Sequence, residues 1–182
     1  MPSPAASTAS VRNALRRFRR NRRGSAAVEF ALVAPVFFAL LFAIIETAIV
    51  FFAGQVLETV TQDSARMILT GQAQTAAYSQ AQFKTNVVCP RIGVLFDCVN
   101  GIYVDVQSYT AFGNVTITDP IDAGKNFVPN MNYNPGGPGD IVVVRLFYQW
   151  PLFVTGLGYN IANLTGSKRL LSATAAFRNE PY

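Results

Sequence analysis

The sequence predicts an α+β protein in which one long N-terminal helix packs on an antiparallel sheet of about four strands. Three observations predict this class. Residues 25–54 are predominantly apolar, and residues 55–71 continue with an apolar stripe at helical spacing. Short segments with the alternating pattern of strands begin at Ile102. The roughly 110 residues after the helix are enough to bury a modest core, so we expect one head domain over residues 72–182.

Residues 1–24 form a basic leader. Seven arginines and no acidic residue precede Gly24, namely Arg12, Arg16, Arg17, Arg19, Arg20, Arg22 and Arg23. By the positive-inside rule, such a block keeps its end of the chain in the cytoplasm. The whole chain has 15 basic and 10 acidic residues, so the part after Gly24 keeps eight basic against ten acidic residues, a net charge of −2. No basic surface remains on the folded part, which argues against nucleic-acid binding.

Residues 25–54 are predicted to span the membrane. No charged residue lies between Glu29 and Glu46, and the wider low-charge segment reaches the length of about 20 residues that a spanning helix requires. We therefore place Glu29 near the inner edge of the hydrocarbon and Glu46 near the outer edge. Pro35 has no N–H to donate within the helix, which predicts a kink. A secretory signal would have its small-residue cleavage site after the apolar segment, not before it.

The segment Gly24-Ser25-Ala26-Ala27-Val28-Glu29-Phe30 resembles the processing site of type IV pilin precursors. The longer segment from Arg22 to Pro35 resembles TadE-like proteins, the pseudopilins of the bacterial tight-adherence (Tad, or Flp) pilus. The C-terminal segment Phe177-Arg178-Asn179-Glu180-Pro181-Tyr182 is similar to the ending common in that family. Major pilins of this system usually have tyrosine after the glutamate, whereas this chain has Phe30, which favours a minor pilin or pseudopilin.

The resemblance implies a pilin-like fold and a cut between Gly24 and Ser25 by a prepilin peptidase. Glycine suits this position because it leaves the backbone open to the peptidase. The new ammonium group on Ser25, in this or a neighbouring subunit, would pair with Glu29 and set the register between subunits. Without the resemblance, Glu29 fits equally well as a carboxylate that reaches the lipid head groups.

The implied function is assembly of a Tad pilus that serves adhesion or secretion. The implied partners are the prepilin peptidase, other pilins and inner-membrane lipid, with the head domain in the periplasm or carried into an extracellular pilus. An alternative remains open, in which the chain is never cut. It would then be a single-pass membrane protein whose outer domain binds a ligand or a partner, and the arginines would be a permanent topological anchor.

Several elements are predicted after the membrane helix. Gly71 is predicted to end the helix, and the glycine- and proline-rich run 130–140 predicts an exposed loop. The predicted elements are a short helix near 78–88, strands at 102–107, 115–118, 141–148 and 170–177, and a turn at Phe112-Gly113-Asn114. Residues Leu152, Phe153, Val154 and Leu157 lie in an apolar loop that either fills a core or contacts protein or membrane.

Cys89 and Cys98 are the only cysteines. With no histidine in the chain they cannot form a zinc site, so a disulfide outside the cytoplasm is favoured over two buried thiols. We expect no enzyme activity and no cofactor, because the sequence offers neither a histidine for acid–base work nor a glycine-rich phosphate motif. Asp119 and Asp122 fit solvated turns better than a calcium site, which requires more oxygen ligands.

Overall fold

The computed structural model describes residues 24–154 and 159–182, together with the isolated positions 13 and 16. Helix α1 spans Ser25–Leu69. The chain divides into two compact units, Met1–Phe42 and Ala43–Tyr182. In the first unit, the large apolar side chains of α1 are exposed, from Val28 to Phe42.

In the second unit, one face of α1 is buried. The buried residues recur every three or four positions, which is the spacing of one helix face. They are Ala43, Glu46, Val50, Ala53, Leu57, Val60, Thr61, Ser64, Ala65 and Ile68. Most of these residues form the main core of the head domain together with apolar residues of the sheet.

A chain of short helical segments follows α1. They are α2 (Gln72–Thr75), α3 (Gln80–Phe83), a π-helical turn (Lys84–Val88), α4 (Cys89–Ile92), a 3₁₀ turn (Gly93–Leu95) and α5 (Cys98–Gly101). The predicted short helix is therefore present. It begins at Gln80, where Ser79 and Gln82 form a capping box. The predicted disulfide is confirmed, because Cys89 at the start of α4 is bonded to Cys98 at the start of α5.

The sheet contains three antiparallel strands in the order β1-β2-β3. Strand β1 is Ile102–Tyr109, β2 is Ile141–Pro151 and β3 is Lys168–Arg178. Ile102 is opposite Tyr148 in the first pair, and Ile141 is opposite Arg178 in the second. The run 141–148 is central, as predicted, and its residues Val142, Val144 and Leu146 contribute side chains to the main core. The α+β class is confirmed.

The predicted fourth strand, residues 115–118, is wrong. This segment is irregular, and its carbonyl groups bind side chains instead of a neighbouring strand: Thr116 accepts from the Tyr109 hydroxyl and Thr118 from Arg145. The outer edge of β1 is partly occupied instead by the loop around Tyr133, through a bridge to Val106. Four alternating residues are a weak signal for a strand, because strand preference depends on the neighbours that a segment can pair and pack with.

Candidate processing site and head-domain contacts

The predicted cleavage point is open to other molecules. Gly24 is exposed in the turn that leads into α1, and a Cβ atom added there would meet no atom within 4 Å. The fold of the described chain therefore does not itself require glycine at this position. Any requirement for glycine comes from a molecule that must approach the backbone.

Ser25 and Glu29 contact each other one helical turn apart. The Ser25 hydroxyl donates a hydrogen bond to Glu29 Oε1 at 2.8 Å, and both side chains are exposed. No basic side chain pairs with Glu29 among the residues that the structure describes. Phe30, the next residue, is also exposed. The carboxylate is thus placed beside the residue that becomes the first of the chain if the predicted cut occurs.

The other N-terminal positions are described only in part. Arg16 is exposed and helical. The remaining arginines predicted to set the topology lie outside the described residues; they are Arg17, Arg19, Arg20, Arg22 and Arg23. Pro35 lies within α1, and its predicted kink stays a prediction.

Glu46, expected at the outer edge of the hydrocarbon, is buried against the head domain. The residue is only 8% exposed. One carboxylate oxygen accepts the backbone N–H of Phe153 at 2.5 Å, and the other accepts that of Val154 at 3.1 Å. No pattern in the sequence predicts this contact, because a glutamate in an apolar helix looks the same whether it faces water or backbone amides.

A buried ion pair connects β1 and β2. Arg145 donates through Nε and Nη2 to one carboxylate oxygen of Asp105, at 2.9 and 2.7 Å, and both residues are buried. Asp105 also accepts the backbone N–H of Asn132 and the amide of Gln107. Arg145 donates in addition to the carbonyl of Thr118. The pair therefore attaches the loops at Asn132 and Thr118 to the sheet.

The C-terminal segment returns to the end of α1. Asn179 is buried, and its amide nitrogen donates to the carbonyls of Pro135 and Gly137. The Glu180 N–H donates to the carbonyl of Leu69. The Tyr182 ring packs on Gly71 so closely that an added Cβ atom would overlap the ring. The C-terminal tail thus joins α1 to the loop before β2.

An open groove of about 610 Å³ runs between α1 and β3. Its walls include Gln62 and Arg66 on the helix, Thr174 and Phe177 on the strand, and Glu180 on the tail. This groove brings together no nucleophile and base at hydrogen-bonding distance, and no such pair was predicted there.

The shifted pKa values have local structural causes. Hydrogen bonds from the backbone and side-chain amides of Asn100 lower the pKa of the Asp97 carboxyl, and those of Asn126 do the same for Asp122. Asp119 accepts the N–H of Ile121. Both predicted turn aspartates therefore act as turn residues. Within residues 24–154 and 159–182, no three potential metal ligands lie together.

Residues 24–66 match the family model described as TadE-like protein. This match confirms the predicted resemblance, and it indicates involvement in the Tad pilus system. The matched segment starts at Gly24 and covers most of α1. The length and apolar character of α1 suit a membrane span, which together with the family match indicates membrane association. No significant match was found among curated proteins or solved structures.

Proposed function

We propose that this chain is the precursor of a minor pilin or pseudopilin of a Tad pilus, cut by a prepilin peptidase between Gly24 and Ser25. The observation that carries the proposal is the family match that begins at Gly24. The exposed backbone at this point supports it, because a peptidase can reach the bond without unfolding the chain.

Removal of the leader changes the chain from strongly basic to mildly acidic and leaves an apolar helix at the new N-terminus. The arginines hold this end in the cytoplasm until the cut, and the head domain with its disulfide then lies in the periplasm. The helix of the mature chain leaves the bilayer for a bundle of pilin helices, and the resulting pilus serves adhesion or secretion. The partners are the peptidase, other pilins and membrane lipid.

We also propose that the role is structural and not catalytic. The chain contains no histidine. The open groove between α1 and β3 brings together no nucleophile and base at hydrogen-bonding distance. The buried side chains of Asp105, Asn179 and Glu46 make hydrogen bonds that hold parts of the head together.

The test is the intact mass of the membrane-extracted protein from cells with and without the prepilin peptidase. We expect a chain that begins at Ser25 only when the peptidase is present. Gly24→Leu should accumulate at full length, because the larger side chain obstructs the approach to the bond. Gly113→Leu is the matched control, since Gly113 is also exposed with no atom near a Cβ, and it should be processed normally. A full-length chain in both strains would support the uncut membrane protein instead.

A further inference from the structure

The loop after β2 is attached to α1 at a single helical turn. The Glu46 carboxylate accepts the backbone N–H groups of Phe153 and Val154, and the Thr47 hydroxyl contacts the Tyr159 hydroxyl. These contacts attach residues 153, 154 and 159 to the helix. Glu46 and Thr47 therefore fix the position of these residues along the axis of α1.

The same contacts turn the ring of Phe153 outward. Phe153 is 85% exposed, whereas its neighbour Leu152 is buried in the main core. An exposed phenylalanine is common on protein surfaces when it stands alone. Here the backbone that carries the ring is fixed by hydrogen bonds to a buried carboxylate, and other exposed apolar side chains lie at the same level of the helix.

The exposed surface of α1 stays apolar beyond Glu46. Five large apolar residues are exposed in the segment from Ile44 to Phe52, namely Ile44, Ile45, Ile49, Phe51 and Phe52. No charged residue lies between Glu46 and Glu58. Phe52 lies about 9 Å beyond Glu46 along the axis, at 1.5 Å per residue. Because Glu46 is buried and bound by amides, it does not mark the end of the apolar surface.

We propose that the head domain itself contacts the outer face of the bilayer, through Phe153 and the exposed side of α1 from Ile44 to Phe52. The occupant of this surface is lipid. This inference rests on the proposed membrane span, because the surface continues the uncharged segment 30–45 of the same helix. The hydrocarbon then extends past Glu46, whose charge is satisfied by the amides of Phe153 and Val154 and not exposed to lipid.

The aromatic residues fit this position. Tyrosine is enriched where membrane meets water, since its ring is apolar and its hydroxyl is polar. Tyr159 places its hydroxyl on Thr47 of the helix, close to the level of Phe153. A loop fixed in this way limits the tilt of the head on the membrane before assembly. If this contact exists, Phe153 must leave the lipid when the subunit joins a pilus.

The test uses tryptophan fluorescence in the full-length protein, reconstituted without other proteins into phosphatidylcholine–phosphatidylglycerol vesicles. Trp150 is the only tryptophan and is first replaced by phenylalanine. Phe153→Trp then reports on the loop, and lipids brominated on the acyl chain near the head group serve as quenchers. We expect emission lower by at least about twofold than in vesicles of unbrominated lipid.

Two matched positions complete the experiment. Phe37→Trp lies in the uncharged segment of α1 and should be quenched by bromine placed deep in the bilayer. Phe112→Trp should not be quenched: Phe112 is exposed and follows the end of β1 that pairs with Ile141, whereas Phe153 follows the opposite end of β2. Eleven residues of β2 separate these ends, about 35 Å at the rise of a strand.

The outcomes separate the two proposals. Quenching in the Phe153→Trp and Phe37→Trp proteins but not in the Phe112→Trp protein supports the lipid contact. Quenching in the Phe37→Trp protein alone overturns it and leaves the membrane span intact, which would assign the apolar surface to a protein neighbour. Absence of quenching in the Phe37→Trp protein overturns both the lipid contact and the membrane part of the proposed function. Far-ultraviolet circular dichroism of each variant shows whether it has kept its fold.

Discussion

At the scale of single residues, the stability of the head domain should depend on the buried ion pair between Asp105 and Arg145. Asp105→Asn leaves the guanidinium of Arg145 buried without its counter-charge, so we expect the free energy of unfolding to fall by about 3–5 kcal/mol. The measurement is urea unfolding of the full-length protein in detergent, followed by near-ultraviolet circular dichroism.

Two controls sharpen this prediction. Asp119→Asn removes an exposed turn carboxylate and should change stability by less than about 0.5 kcal/mol. Replacing both partners with apolar residues, Asp105→Leu with Arg145→Met, should cost less than Asp105→Asn alone, because no unpaired charge remains. A single substitution that costs under about 1 kcal/mol would contradict the assigned role of the pair.

Removal of the Tyr133 hydroxyl, in contrast to removal of the Asp105 charge, should not lower the free energy of unfolding. Its hydroxyl oxygen is buried and has no hydrogen-bond partner among the described residues, while its ring packs on Phe83. We therefore expect Tyr133→Phe to be as stable as the parent protein or slightly more so at neutral pH. Tyr109→Phe is the matched control. It should lose about 1 kcal/mol, because the Tyr109 hydroxyl binds Gln107 and Thr116.

The same tyrosine predicts a pH dependence. Burial, with a smaller effect from Tyr78, raises the pKa of Tyr133 from 10.0 to about 12. Between these values the unfolded chain ionises while the folded chain stays neutral, so ionisation favours unfolding and stability falls as pH rises. Tyr133→Phe should therefore lose less stability than the parent over this alkaline range. Equal losses in thermal unfolding curves of the two proteins would show that Tyr133 does not titrate abnormally.

Some contacts of single residues could be predicted from the sequence and others could not. Cys89 and Cys98 were predictable as a disulfide because the alternatives were few. The role of Glu46 was not predictable, since its amide partners lie more than a hundred residues away in the sequence. Asp105 and Arg145 each interrupt an apolar strand pattern, which signals that they need partners. The pattern alone cannot say that they are partners of each other.

At the scale of elements, the end of α1 depends on Gly71. This residue has φ of +74°, and the Tyr182 ring occupies the space where a side chain would lie. We expect Gly71→Ala to cost more than about 2 kcal/mol, from left-handed strain together with displacement of the ring. Adding Tyr182→Ala should leave a smaller cost for Gly71→Ala, about 1 kcal/mol, because only the strain remains.

Gly54 is the matched control for this prediction. It also lies in α1, but a Cβ atom there meets no atom within 4 Å. Gly54→Ala should therefore be neutral or stabilise the helix by up to about 1 kcal/mol. Thermal unfolding in detergent of Gly71→Ala, Tyr182→Ala, the double variant and Gly54→Ala measures these differences. If Gly71→Ala and Gly54→Ala behave alike, the tail does not depend on Gly71.

Element prediction succeeded where periodicity was long and failed where it was short. Strand β2 was evident because eight apolar-rich residues follow a loop that cannot be regular, and α1 because its apolar stripe persists for many turns. The four residues 115–118 alternate equally well, yet they form an irregular loop. Tyr109 and Arg145 take the carbonyl groups that a fourth strand would have needed for its own hydrogen bonds.

At the scale of the whole molecule, the start of the segment that matches the family and the C-terminal tail have different physical roles. The tail holds the head together through Asn179 and Glu180, so its role can be read from contacts within the chain. The segment from Gly24 to Phe30 is exposed and stabilises nothing else in the described structure beyond the Ser25–Glu29 contact. The described fold does not depend on this segment, which supports the proposal that it serves processing and assembly.

This difference leads to a prediction for Glu29. Glu29→Gln keeps the size of the side chain and an acceptor for Ser25, but it removes the charge that would attract the new ammonium group of a neighbouring subunit. We expect normal cleavage after Gly24, measured by intact mass, but a loss of at least about tenfold of the protein from pilin assemblies that resist detergent. Glu58→Gln removes another exposed acid of α1 and should leave both processing and assembly unchanged. If Glu29→Gln assembles as well as the parent protein, the carboxylate has no role in subunit register and serves only to end the lipid-facing part of the helix.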